Sequence, residues 1–363
     1  MKKRTWMFLL VAACTSSIFY ACSKGDNGGN DTGGNAPDAF KTAMLTNYAD
    51  TLIIPAYTDL LAKLQALETA ANTFLTSPST NSQATLKVSF KDAYISYEKV
   101  AFAYFGPGGT AALNNSLNVF PANTKRIEAG IASGTYSFTV PVASDSIQGF
   151  PALDYLFFST DAVTKFADAG AANRKKYVQD IVSRMKSLVT DVLSQWKTNY
   201  RAGFIANTKL DVGSSMGYII NQLAFEMDQM KGPRIGWPFG KMSGGTAYPT
   251  NCEGYYGSFS VSLAVANLTS LKNYYTGGTG RGIDDYLLLL GKSSLNSTVL
   301  ARFDAAIAAL QAIPEPMSAS FTNSNSPYID DAYTKIQLLL TAIKTDVASA
   351  TSIRITYQDS DGD

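Results

Sequence analysis

The stretch RKKYVQDIVSRMKSLVTDVLSQWKTNY, residues 174–200, decides the fold class. Tyr177, Ile181, Met185, Leu188, Val192 and Trp196 recur at steps of three and four. That spacing puts all six on one face of an α-helix and leaves the charged residues on the other. A face this apolar has to be covered by other elements, so its neighbours should be helices with matching stripes.

Upstream, Leu45, Leu52, Leu60, Leu64, Leu67, Ala71 and Phe74 follow a helical spacing from about Phe40. Pro55 should start, kink or divide this helix, because proline lacks the N–H that a helix interior uses. Thr76-Ser77-Pro78-Ser79 closes it. Leu86, Phe90, Ala93, Tyr97, Val100 and Tyr104 mark the next helix, which Phe105-Gly106-Pro107-Gly108-Gly109 should stop. Residues 110–148 read as irregular, with short alternating pieces such as Tyr136–Val140, and a helix follows from about Phe150 to Phe158. Downstream, helices are expected near 211–230, 258–275, 283–290, 298–312 and 329–349. The Gly- and Pro-rich stretch 232–257 should be an ordered functional loop or a lid. Alternating apolar runs are scarce, which argues against a major β-sheet. The expectation is an all-α chain of two helical-bundle halves, 39–200 and 201–363.

The N-terminus reads as an export signal. Lys2, Lys3 and Arg4 precede apolar stretches Trp6–Ala13 and Ile18–Ala21, too short and interrupted to span a bilayer. Val11-Ala12-Ala13-Cys14 fits a lipobox, and Phe19-Tyr20-Ala21-Cys22 fits it less neatly. Cys22 is favoured, because cleavage at Cys14 leaves a very short signal and an apolar Ile18-Phe19-Tyr20 in the mature tail. The polar Ser23–Asp38 stretch then serves as a flexible tether of residues 22–38, in the manner of Bacteroidetes surface lipoproteins. Acyl chains on Cys22 would fix the protein to an envelope membrane. Loss of residues 1–21 changes 30 basic against 29 acidic side chains to 27 against 29. Neither balance suggests a nucleic-acid partner. Cys252 is then the remaining unmodified thiol, so no intramolecular disulfide forms and packing must hold the fold.

The chain has no histidine. Ser-His-Asp and Cys-His catalysis, His-ligated zinc and proximal-His haem are therefore excluded. Acid–base chemistry would fall to carboxylates, Lys or Tyr. Two further motifs fail on their own terms. Gly291-Lys292-Ser293 ends like a phosphate-binding loop, but Tyr286 stands where the first Gly is required. Asp359-Ser360-Asp361-Gly362-Asp363 begins like a calcium loop and lacks the later Glu.

Gln148-Gly149-Phe150-Pro151-Ala152-Leu153-Asp154-Tyr155-Leu156 reads as a Pro-initiated buried helix with Asp154 in its first turns. The segment resembles the signature of the imelysin-like family, Gly-x-His-x-x-Glu before an apolar run. Gly149 matches the Gly, Pro151 stands in the His position and Asp154 in the Glu position. Tyr48–Tyr57, Ala93–Pro107, Glu226–Pro233 and Cys252–Ser258 resemble further elements of that family, in order. The resemblance implies an all-helical fold with a cleft where the halves meet, an envelope location and a link to iron uptake through envelope partners. It also implies a cleft formed from Glu98, Tyr155, Glu226, Lys231, Arg234, Glu253 and Ser258. Iron or another divalent or trivalent metal would find hard oxygen donors in Asp154, Glu226 and Glu253, with Asp228 nearby. Some members carry a peptidase label. Pro151 can neither ligate metal nor move a proton, so a divergent member with an altered or lost metal or catalytic role is expected. Bland readings stand beside these: Tyr97, Tyr104, Tyr155 and Tyr218 as packing aromatics, and Lys231 and Arg234 as cations compensating a helix C-terminus.

Overall fold

A computed structural model describes residues 37–139, 146–322 and 326–357. Cys14, Cys22, most of the tether and the acidic tail at 359–363 lie outside the described residues. Among those described there is no strand, and no helix is long and apolar enough to cross a membrane. The chain is all-α.

The first helix, α1 (Asp38–Asn47), widens into a π-helical turn, Tyr48–Ile53, and continues as α2 (Ile54–Thr76). Pro55 sits in the first turn of α2, where its missing N–H costs nothing. Helix α3 (Thr80–Val100) begins at Ser79, whose hydroxyl accepts from the Ser82 amide at 3.2 Å. Gly106–Thr110 does not simply end α3. Pro107 initiates a short helical turn there, so the Gly-Pro stretch both stops one helix and starts another.

The region read as irregular holds a helix, α4 (Thr124–Ser133), capped by the Asn123 side chain and ended by Gly134. After it come α5 (Gly149–Phe158) and α6 (Ala172–Gln195), and α6 runs through a second π-helical turn, Trp196–Tyr200. The second half contains α7 (Ser215–Gln229), α8 (Ser260–Thr276), α9 (Ile283–Leu289), α10 (Ser293–Gln311) and α11 (Ser326–Thr341).

Helix α2 packs against both α3 and α6, and α10 against both α8 and α11. Leu60, Leu64, Leu67 and Phe74 on α2 and Tyr177, Ile181, Met185 and Val192 on α6 are buried together, as the helical spacing predicts. The two sets meet where α3 lies against α8, and α7 packs on α8 beside that contact. Phe90, Tyr94 and Tyr97 on α3 pack against Phe150 on α5, with the Tyr94 and Phe150 rings 4.4 Å apart. This aromatic stack seats the start of α5 against the middle of α3. It fixes where Glu98, one residue past Tyr97, emerges.

Candidate functional site

Charged and amide side chains converge where α3, α7 and α8 meet. Glu98 comes from the last turn of α3, Gln222 and Glu226 from successive turns of α7, and Asn267 from the middle of α8. Arg234 belongs to a π-helical turn, Met230–Gly236, that extends α7 beyond its expected end. The wider turn accommodates Pro233 and changes which residues face inward. Arg234 is thereby carried into the interior, where it is 5% exposed. Lys231 and Arg234, expected as cations compensating a helix C-terminus, do not stand at one: the helix continues through them to Phe239. Lys231 is also buried.

Arg234 is the centre of the cluster. One guanidinium nitrogen lies 2.9 Å from Glu98 Oε2, and another bonds Glu253 Oε2. Asn267 Nδ2 donates to Glu98 Oε2 at 3.0 Å and, at 3.4 Å, to Glu226 Oε2. Gln222 Nε2 donates to Glu226 Oε1 at 3.4 Å. Asn118 Nδ2 donates to Glu253 Oε1 at 2.6 Å and its oxygen accepts from the Tyr94 hydroxyl. Glu98, Glu226 and Glu253 are each no more than 2% exposed. Three buried carboxyl groups thus lie around one guanidinium that contacts two of them, and charge in such a setting is stable only when compensated. Burial pushes Glu98 well above the usual carboxylate range, with Glu253 adding to the rise and Arg234 opposing it. Burial also raises Glu226. Glu98 and Glu226 therefore hold protons more tightly than free carboxylates do.

Asp154 lies apart from this contact set. Its two oxygens accept from the backbone amides of Tyr256 and Gly257, both at 2.8 Å. Burial pushes its carboxyl up to about 7, against the lowering effect of those amides. The residue at the signature's acidic position thus pins the loop that carries Glu253. Loop and pin are closely fitted: a Cβ at Gly257 would meet Asp154 Oδ1 at 2.8 Å and the Phe259 ring at 2.3 Å. Ser258 lies on the same loop with φ of 59°. Pro151 and Gly149 are buried in the helix start, and Gly149 has φ of 74°. Tyr155 points elsewhere, its hydroxyl donating to Glu128 at 2.6 Å.

A cavity of about 250 Å³ opens beside the cluster. Glu226 and Arg234 line it, with Tyr97, Tyr104, Phe120 and Phe225 as aromatic wall and Asn114, Asn115 and Gln229 as amides. The structure brings Glu98, Glu226, Arg234 and Glu253 together and leaves Asp154, Tyr155 and Ser258 outside their contacts. Asn118, Gln222 and Asn267 escaped sequence reading. An amide inside a helical stripe looks like any half-buried polar residue, and Asn118 sits in a stretch without periodicity.

The donor set does not fit a resident metal ion. Asp154 gives both oxygens to amides, and Glu98 and Glu253 each give one to a fixed guanidinium. Among the described residues no three Asp, Glu or Cys side chains are grouped to hold a metal. Arg234 already supplies the positive charge that Glu98 and Glu253 face.

Comparison with known proteins follows the same lines. The family model described as imelysin, peptidase M75, matches residues 53–349. No curated protein matches the chain. A solved structure from Parabacteroides distasonis, provisionally described as an iron-regulated protein A precursor, superposes with a TM-score of 0.75 at 20% identity, over 88% of this chain and 97% of that one. An imelysin-like protein from Psychrobacter arcticum gives a TM-score of 0.71 at 19% identity, over 90% of this chain and 99% of that one. At such identities the two structures speak for the fold.

Proposed function

The chain belongs to the imelysin family, and on that premise we propose that it is a non-catalytic, ligand-binding component of the cell envelope, anchored through Cys22 and linked to iron uptake. The observation that carries the reading is Glu226. It is a carboxylate 2% exposed on the wall of a 250 Å³ cavity, held by two amide contacts of 3.4 Å, while Arg234 is engaged by Glu98 and Glu253. A buried acid left with such weak partners is suited to meeting something that enters the cavity. Iron would arrive there as cargo, carrying ligands of its own, with Glu226 completing its shell. Hard oxygen donors suit the ferric ion.

A chain without histidine has no imidazole base, and the position where the family signature carries His is Pro151. Binding is therefore favoured over the peptidase label.

Thermal unfolding of the full chain in detergent, with and without ferric nitrilotriacetate, tests the proposal. A ligand that binds only the folded state at a hundredfold excess over its Kd stabilises by about 2.7 kcal/mol, a shift of several degrees. The expected result is such a shift, lost in Glu226→Gln. No shift at any accessible concentration contradicts an iron cargo. Cleavage of an unfolded protein substrate that disappears in Glu226→Gln would replace binding with hydrolysis.

A further inference from the structure

We infer that the cleft recognises the ammonium group of a small organic cation, with Glu226 as counter-ion and the rings of Tyr97, Tyr104, Phe120 and Phe225 as walls. The inference rests on the cleft being a binding site, as proposed above, and names the chemistry it selects.

Three features of the cleft point the same way. The first is charge. Three carboxylates face one guanidinium, and Glu226 is the one of the three with no ion pair among the described residues. An incoming cation gives an ionised Glu226 the partner it lacks, whereas an incoming anion meets a carboxylate and no free cation among the described residues of the cavity wall. The second is hydrogen-bond supply. Glu98 Oε1 and Asn267 Oδ1 are buried acceptors with no partner, against Arg234 Nε as an unpartnered donor. An ammonium brings three N–H donors and no acceptor, which is what a donor-poor site lacks. Asn267 touches both Glu98 and Glu226, so these acceptors stand next to the carboxylate that lines the cavity. The third is the wall. Four aromatic rings around a carboxylate stabilise a cation through ring electrostatics as well as Coulomb attraction. A cavity of about 250 Å³ has room for an alkylamine or a short diamine.

The groups around Glu226 are Tyr97 on α3, Arg234 on the π-helical turn, Glu253 on the loop and, through the shared Asn267 amide, Glu98 on α3. Binding of an ammonium group requires Glu226 ionised, so it strengthens as pH rises through the raised titration range of that carboxyl and releases protons.

Isothermal titration of the full chain in detergent with butylamine, 1,4-diaminobutane, 1-butanol, acetate and ferric nitrilotriacetate tests this. The amines should bind at least tenfold more tightly than butanol. Glu226→Gln should weaken them at least tenfold, and Tyr104→Leu, at a half-buried wall position, severalfold. Equal binding of butanol and butylamine, preference for acetate, or amine binding unchanged in Glu226→Gln would overturn the inference. Iron binding that depends on Glu226, without amine binding, leaves the cleft reading standing and removes the ammonium assignment. Failure of every ligand removes both.

Discussion

Arg234→Met removes the guanidinium that Glu98 and Glu253 both contact and leaves two carboxylates buried beside Glu226. Breaking a buried pair in this way costs about 3–5 kcal/mol. Urea unfolding at pH 8 should show a loss of that order. Adding Glu98→Gln and Glu253→Gln should recover most of it, because the stranded charges are then gone. Asp154 makes a different prediction. Burial raises its folded carboxyl to about 7, well above the ordinary aspartate range. The folded state therefore binds this proton more tightly than the unfolded chain, and stability falls as pH rises between about 4 and 7. Glu98 and Glu226, also raised, act in the same direction. Unfolding free energy should decline from pH 5 to pH 8, by a few kcal/mol in all. The decline should be shallower in Asp154→Asn. A stability that climbs over this interval would contradict the assignment. Asp154→Ala strands the Tyr256 and Gly257 amides, at a cost of about 1–3 kcal/mol, and faster hydrogen exchange at those two amides reports the released loop.

Helix α5 depends on one backbone conformation. Gly149 has φ of 74°, and a Cβ there would lie 2.3 Å from the Leu117 carbonyl oxygen. Gly149→Ala meets both obstacles and should destabilise by more than the ~1 kcal/mol typical of a strained glycine site, as read from the denaturant midpoint. The long helices were legible in sequence because their stripes bury against partners of the same kind. Tyr177, Ile181, Met185 and Val192 are all buried where their spacing puts them. Helix α4 was not legible, since its ends are set by a single Asn123 cap and by Gly134 rather than by a long stripe. The continuation of α7 through Pro233 was hidden for another reason. Proline normally marks a helix stop, and only the wider π turn tolerates it. The π turn is what carries Arg234, on the helix itself, into contact with Glu98 and Glu253. Glu98, Glu226 and Glu253 could be named from the family resemblance, but the amides that bind them could not, because Asn267 and Asn118 reach them across more than a hundred residues of chain.

At the scale of the whole molecule, the helices before and after residue 200 are joined by polar contacts as well as by packing. Glu98 and Asn118 precede that point, and Glu226, Arg234, Glu253 and Asn267 follow it. The candidate site is therefore also a seam, and a ligand bound there should stabilise both parts together. The proposed anchor makes a separate prediction. Cys22→Ala should release the protein from the membrane fraction and abolish labelling by radioactive palmitate, whereas Cys14→Ala should leave both unchanged. The reverse pattern would move the processing site to Cys14.

The central claim is that the Glu226 and Arg234 cleft holds a small ligand, and native mass spectrometry of the full chain purified from envelope membranes tests it most directly. A bound species of small mass on the wild-type protein, absent from a folded Glu226→Gln variant, is the predicted result. The same mass in both proteins, or an unliganded protein that stays unliganded when amines and ferric nitrilotriacetate are supplied, would contradict it.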